Sequence, residues 1–161
     1  MVTIKKVSWI PPDGDVIKIN TDGCSLGKAG SSGLGIVCNS NLQVLGVMAK
    51  GLEVIINYVA ECQARVTAAE VAVKQGWQKV RFETDSKALV TSFTKEDIPW
   101  QPVARWKESN SSFHTMEALS HSQRSEYWCR CCSKEWNKFR CCDHSIWSHD
   151  KPDFVPVLVF K

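Results

Sequence analysis

Three carboxylates sit in contexts that could carry chemistry: Asp22 in Thr21-Asp22-Gly23, Glu61 in Ala60-Glu61-Cys62-Gln63-Ala64, and Asp85 in Glu83-Thr84-Asp85-Ser86. Each falls where a strand should end or a helix begin, so a fold could bring them together. Carboxylates gathered in one place repel one another and are costly to leave uncompensated; a hard cation such as Mg²⁺, bound through oxygen, relieves this. The residue types therefore point to a metal-dependent site. Taken singly, each also has a plainer reading. Asp22 before Gly23 suits turn chemistry, Glu61 a solvated or capping side chain, and Asp85 a helix N-cap. Placement of all three at one sheet edge favours the metal site. Glu83, two residues before Asp85 and on its face, reads as a solvated edge carboxylate.

The elements that must position these residues are legible from periodicity. Pro11-Pro12-Asp13-Gly14 is a rigid, turn-rich lead-in that cannot be helical. Val16 to Cys24 alternates, with Val16, Lys18, Asn20 and Asp22 on one face and Ile17, Ile19 and Thr21 on the other, the pattern of a half-buried strand. Ser25 to Ser32 reads as a loop. Gly33 to Asn39 and Leu42 to Lys50 are β-rich runs around an Asn39-Ser40-Asn41 turn, which gives a three-stranded meander. From about Asn57 to Gly76 the period becomes helical, with Ala60, Ala64, Ala68 and Ala72 at spacing four and Gly76 as C-cap. Small residues on one face let this helix lie close to a sheet. Lys79 to Thr84 alternates again, and Asp85-Ser86 opens a second helix through about Thr94. A strand joined to a strand by a helix implies a parallel pair and a right-handed crossover. The expected fold is α/β with a mixed sheet, Asp22 and Asp85 ending neighbouring strands.

A chain of 161 residues, 43% apolar and 23% charged, is long enough for one domain with its own core. No run of about 18 apolar residues exists and Met1 to Lys6 is polar and basic, so neither membrane insertion nor secretion is expected. The formal charge of +3 is spread evenly: residues 1 to 98 hold 11 basic and 10 acidic side chains, residues 99 to 161 hold 9 and 7. Any nucleic-acid surface must therefore be a local patch. Cys24, Cys38 and Cys62 are scattered, which suits reduced thiols inside a cell; the other five cysteines crowd into residues 129 to 142.

Trp9, Pro11-Pro12, Gly14 and Lys18-Ile19-Asn20-Thr21-Asp22-Gly23, then Ala60-Glu61-x-x-Ala64, then Val80-x-Phe82-Glu83-Thr84-Asp85-Ser86, together resemble the plant ribonuclease H-like domain, also found in non-LTR retroelement polyproteins. The resemblance covers roughly residues 9 to 98. It implies a ribonuclease H-like fold, a three-stranded antiparallel meander plus parallel strands with flanking helices. It also implies hydrolysis of the RNA strand of an RNA/DNA hybrid with two Mg²⁺ ions, Asp22 bridging both and Glu61 and Asp85 completing one side. Two metals can activate a water, hold the scissile phosphate in line and neutralise the leaving oxygen. The segment Pro99 to Glu117 is expected to be a helix packing on the domain. Its Arg105 and Lys107 are either phosphate contacts or part of a solvated face.

The family carries a fourth carboxylate in a pattern like Arg-x-x-Asn-x-x-Ala-Asp-x-Leu-Ala-Lys-x-Gly at the start of a last helix. After His121-Ser122-Gln123-Arg124, which suits the last strand, this chain instead reads Ser125-Glu126-Tyr127-Trp128-Cys129-Arg130-Cys131-Cys132. Residues 127 to 149 hold eight of its fifteen Trp and Cys residues. Cys is TGY and Trp is TGG, and a one-base shift from the Glu126 codon permits Asn-Ile-Gly-Ala-Asp-Val-Val-Ala-Lys-Asn-Gly. That spelling matches the missing motif, with the Asp codon straddling Arg130 and Cys131. The hypothesis is that residues from about Ser125 are read out of frame, which sequencing the transcript across codons 118 to 150 decides. A rival reading makes Cys129, Cys132, Cys141, Cys142, His144 and His149 zinc ligands. Aromatics Trp128, Trp136 and Trp147 could stack on bases, but the shifted frame accounts for them as well.

The expected organisation is a lead-in over 1–15, a ribonuclease H-like domain over 16–124, and an aberrant tail over 125–161 that lacks the last helix. The expected partner is an RNA/DNA hybrid, with no membrane, for a monomeric intracellular protein of nucleus or cytoplasm. Two functions stay open: a Mg²⁺-dependent endonuclease using Asp22, Glu61 and Asp85, and an inactive nucleic-acid-binding relic lacking the fourth carboxylate.

Overall fold

The structure, a computed structural model, describes residues 12, 14–25, 30–40, 43–120 and 145–148. The meander is β1 (Ile17–Ser25), β2 (Gly30–Ser40) and β3 (Gln43–Ile55), followed by helix α1 (Asn57–Lys74) and strand β4 (Lys79–Thr84). Helices α2 (Lys87–Thr94) and α3 (Trp100–Asn110), then β5 (Thr115–Ser120) and β6 (Ser145–Ser148), complete it. The described strands form one sheet in the order β5-β4-β1-β2-β3-β6. β1, β2 and β3 pair antiparallel, β4 runs parallel to β1 and β5 parallel to β4. The mixed α/β architecture is the one expected, as is the parallel pair across the α1 crossover.

The alternation of β1 sorts its side chains between two environments. Ile19 joins the apolar cluster with Ala64, Ala68 and Ala72 of α1 and Val80 and Phe82 of β4. Ala60, Ala64, Ala68 and Ala72 are all fully buried, so the small-residue stripe does lie against the sheet. α1 ends at Lys74 with Gln75 as C-cap, one residue before the expected Gly76, whose φ of 73° is the left-handed conformation that follows the cap, with Trp77 N–H donating to the Ala72 carbonyl. The other face of β1 departs from expectation. Lys18 and Asn20 are each only 2% exposed, so the face read as polar and solvated is buried.

Two boundaries also differ. The helix expected over Pro99 to Glu117 ends at Asn110, and Thr115–Ser120 forms β5 against β4. Asn110-Ser111-Ser112 supplies short polar side chains that compete for the backbone, Ser111 Oγ donating to the Glu108 carbonyl. The stretch His121 to Arg124, expected to be the last strand, lies outside the described residues. Ser145–Ser148, within the segment set apart as a tail, pairs with β3 from Val47↔Ser148 to Lys50↔Ser145. The out-of-frame reading near Arg130 and Cys131, the zinc ligands and Trp128 and Trp136 lie outside the described residues.

Arg65 is the costly member of the core. It is 2% exposed, its Nε and Nη2 have no hydrogen-bond partner, and burial pushes the guanidinium down to about 9. Aromatic faces offset part of that cost: the guanidinium carbon stands 3.7 Å from the Phe82 ring centre and 5.4 Å from that of Trp106. Phe93 and Trp106 close the group edge to face. Unmade hydrogen bonds of buried donors cost about 1–3 kcal/mol. Arg65→Met fills the same space without them, so urea denaturation should find it more stable by about 1–3 kcal/mol.

Candidate functional site

Strand β1 carries Asp22 to the end at which α1 begins. Gly23 makes this possible: a Cβ there would lie 2.2 Å from the Ala60 carbonyl carbon and 2.4 Å from the Glu61 backbone nitrogen. Backbone thus packs on backbone, and Asp22 and Glu61 are neighbours through that contact. The β1–β4 ladder runs from Ile17↔Val80 to Asn20↔Glu83. Asp22 and Asp85 each lie two residues beyond its last rung, Asp22 still on β1. Asp22 is 9% exposed and Asp85 partly buried, just past the end of β4.

Asp85 is not the N-cap of α2. Ser86 fills that position, its Oγ accepting from Leu89 N–H at 3.2 Å, while Ser86 N–H donates to Thr84 Oγ1. Glu61 lies in the second turn of α1 and accepts a 2.9 Å hydrogen bond from Asn57 Nδ2. Asn57 Oδ1 in turn accepts from Ser25 N–H at 3.1 Å, and Ser25 Oγ donates to the Ile55 carbonyl. The strand that carries Asp22 is thereby tied to the residue that carries Glu61. Asn57 was missed from the sequence, although its i, i+4 relation to Glu61 on a helix is the available signal.

The donor set, carboxylate oxygens on a strand end, a helix and a second strand end, suits a hard divalent cation. The backbone gathers the three positions at one end of the sheet. Among the described residues, no three His, Cys, Asp or Glu side chains converge closely enough to hold a metal ion. Three neighbouring chemistries are settled. Glu83, expected to be solvated, is 2% exposed and ion-paired with Lys18 at 2.7 Å, a buried lysine that reaches it diagonally from β1. Arg105 is not free for phosphate: it grips Glu70 through two nitrogens and donates to Gln63 Oε1, clamping α3 to α1. Cys62 is fully buried, and burial pushes its thiol up to about 11, which removes it as a nucleophile.

The family model described as reverse transcriptase-like matches residues 20–109, more than half of the chain. The chain belongs to that family. It is a ribonuclease H-like domain in fold as well. RNase H1 from the halophilic archaeon Halobacterium salinarum superposes with a TM-score of 0.68 at 19% identity, covering 74% of this chain and 96% of that one. The N-terminal RNase H domain of a Mycobacterium tuberculosis protein gives 0.67 at 20%, covering 74% and 97%. LC11-RNase H1 in complex with an RNA/DNA hybrid gives 0.64 at 18%, covering 74% and 94%. No curated protein matches the sequence significantly.

Two outcomes follow for this end of the ribonuclease H-like sheet. Gly23→Ala must push α1 away from β1, at a cost of about 3 kcal/mol or more in chemical denaturation. Asn57→Ala should cost only about 1 kcal/mol, yet speed hydrogen exchange at the Ser25 amide, which loses its acceptor.

Proposed function

We propose that the chain is a ribonuclease H-type nuclease domain that hydrolyses the RNA strand of RNA/DNA hybrids with Mg²⁺. The observation that carries this reading is that Asp22, Glu61 and Asp85 lie at one end of the sheet, supported by the Gly23–Ala60 contact and by a β1–β4 ladder that ends two residues before both aspartates. The hybrid bound to the similarly folded LC11-RNase H1 supports the substrate class. Asp22, Glu61 and Asp85 would hold the metal, which supplies an activated water and a counter-charge for the leaving oxygen. The chain's own contribution is placement. β1 and β4 present two carboxylates on rigid strand ends, and Asn57 keeps Glu61 oriented against the start of α1. We place the protein in the plant, retroelement-derived branch of the family, acting as a monomer inside the cell, in nucleus or cytoplasm.

One observation favours a second reading. Among the described residues, no three His, Cys, Asp or Glu side chains, Asp22, Glu61 and Asp85 included, converge closely enough to hold a metal ion. On that reading the domain binds hybrids without cleaving them. Hybrid cleavage by the intact chain separates the two: Asp22→Asn should lower Mg²⁺-dependent cleavage about 100-fold or more while hybrid binding persists. Parent protein that binds hybrid and leaves it intact at any Mg²⁺ concentration establishes the second.

A further inference from the structure

Lys18 and Glu83 are charged, buried and unused by the chemistry proposed above. Their ion pair measures 2.7 Å and each side chain is 3% exposed. It joins β1 to β4, the two strands that carry Asp22 and Asp85. By strand alternation both residues share the face of those carboxylates, Lys18 four residues before Asp22 and Glu83 two before Asp85. The pair is also diagonal. Lys18 stands opposite Arg81 and Glu83 opposite Asn20, so the lysine reaches along the strand toward the site. Asn20↔Glu83 is the last rung of the ladder, and past it the sheet register no longer holds the two strand ends together.

We propose that the Lys18–Glu83 pair is a strut that fixes the spacing of β1 and β4 at that last rung, making Lys18 and Glu83 positioning residues for Asp22 and Asp85. An apolar pair of similar volume would fill the space with equal or better stability, because desolvating two charges is expensive. What the ion pair adds is a fixed length and direction across two strands. It also neutralises a carboxylate one pleat below Asp85 that would otherwise repel the site's own negative charges.

The proposal rests on the metal-binding reading of Asp22, Glu61 and Asp85, and Mn²⁺ binding to the intact chain by calorimetry, with no nucleic acid present, tests both. Asp22→Asn should abolish Mn²⁺ binding. The double variant Lys18→Met/Glu83→Leu should melt at or above the parent temperature yet bind Mn²⁺ about tenfold more weakly, as loss of a ligand's supporting contact does. The swapped pair Lys18→Glu/Glu83→Lys restores the tie and should recover most of that affinity. Parental affinity in a folded apolar pair overturns the strut, and so does a swapped pair as weak as the apolar one. Should the apolar pair not fold, the swapped pair decides alone: near-parental affinity supports the strut and a tenfold loss overturns it. If Asp22→Asn binds Mn²⁺ as the parent does, the metal site itself is wrong and the strut falls with it.

Discussion

The contact of Gly23 with the Ala60–Glu61 backbone is the constraint on which the site depends. A side chain at position 23 would collide with main chain, which cannot rotate out of the way. With hydrogen there, α1 starts directly against the end of β1. Everything downstream follows from that approach. The alanines at spacing four keep the helix close along its length, the crossover returns β4 beside β1, and the parallel ladder ends two residues short of both Asp22 and Asp85. Local backbone packing, rather than any attraction among the carboxylates, brings their three positions to one end of the sheet.

The two faces of the sheet around β1 and β4 solve different problems. The α1 face is apolar and closely packed, with Ile19, Val80 and Phe82 against alanines and Val66, and it supplies the hydrophobic stabilisation. Arg65 interrupts it with a charge shielded by aromatic rings instead of a carboxylate. The opposite face is polar and yet buried, with Lys18, Asn20, Asp22 and Glu83 in succession toward the site. Buried polar groups stabilise little but specify geometry when they are paired. The polar face is thus built for precision and the other for stability.

Elements with strong periodicity could be read from the sequence alone. β1, β4 and α1 lie within a few residues of where alternation and alanine spacing put them, whereas β2 takes in residues 30–32 read as loop and β3 runs on past Lys50 to Ile55. Asp22 falls near the end of β1 and Asp85 just past β4, as boundary residues should, whereas Glu61 lies a full turn inside α1. Buried polarity was not legible. Lys18 and Glu83 alternate as a solvated face would, and only the strand order shows that each faces the other. Asn57 carries no signal until α1 has a defined first turn, and Arg105 needs Glu70 of another helix. The end of α3 escaped because a polar, low-periodicity stretch continues past Asn110 without a proline or glycine to stop it.

If this placement is the basis of function, one divalent cation must sense all three elements at once. Nuclear magnetic resonance of the labelled protein during a Mn²⁺ titration reads this directly, because the paramagnetic ion broadens amides near it. The account predicts that amides around Asp22, Glu61 and Asp85 broaden together, at the same substoichiometric Mn²⁺, while those of α3 stay sharp. Broadening confined to one of the three, or spread over surface acids with no shared onset, would contradict it.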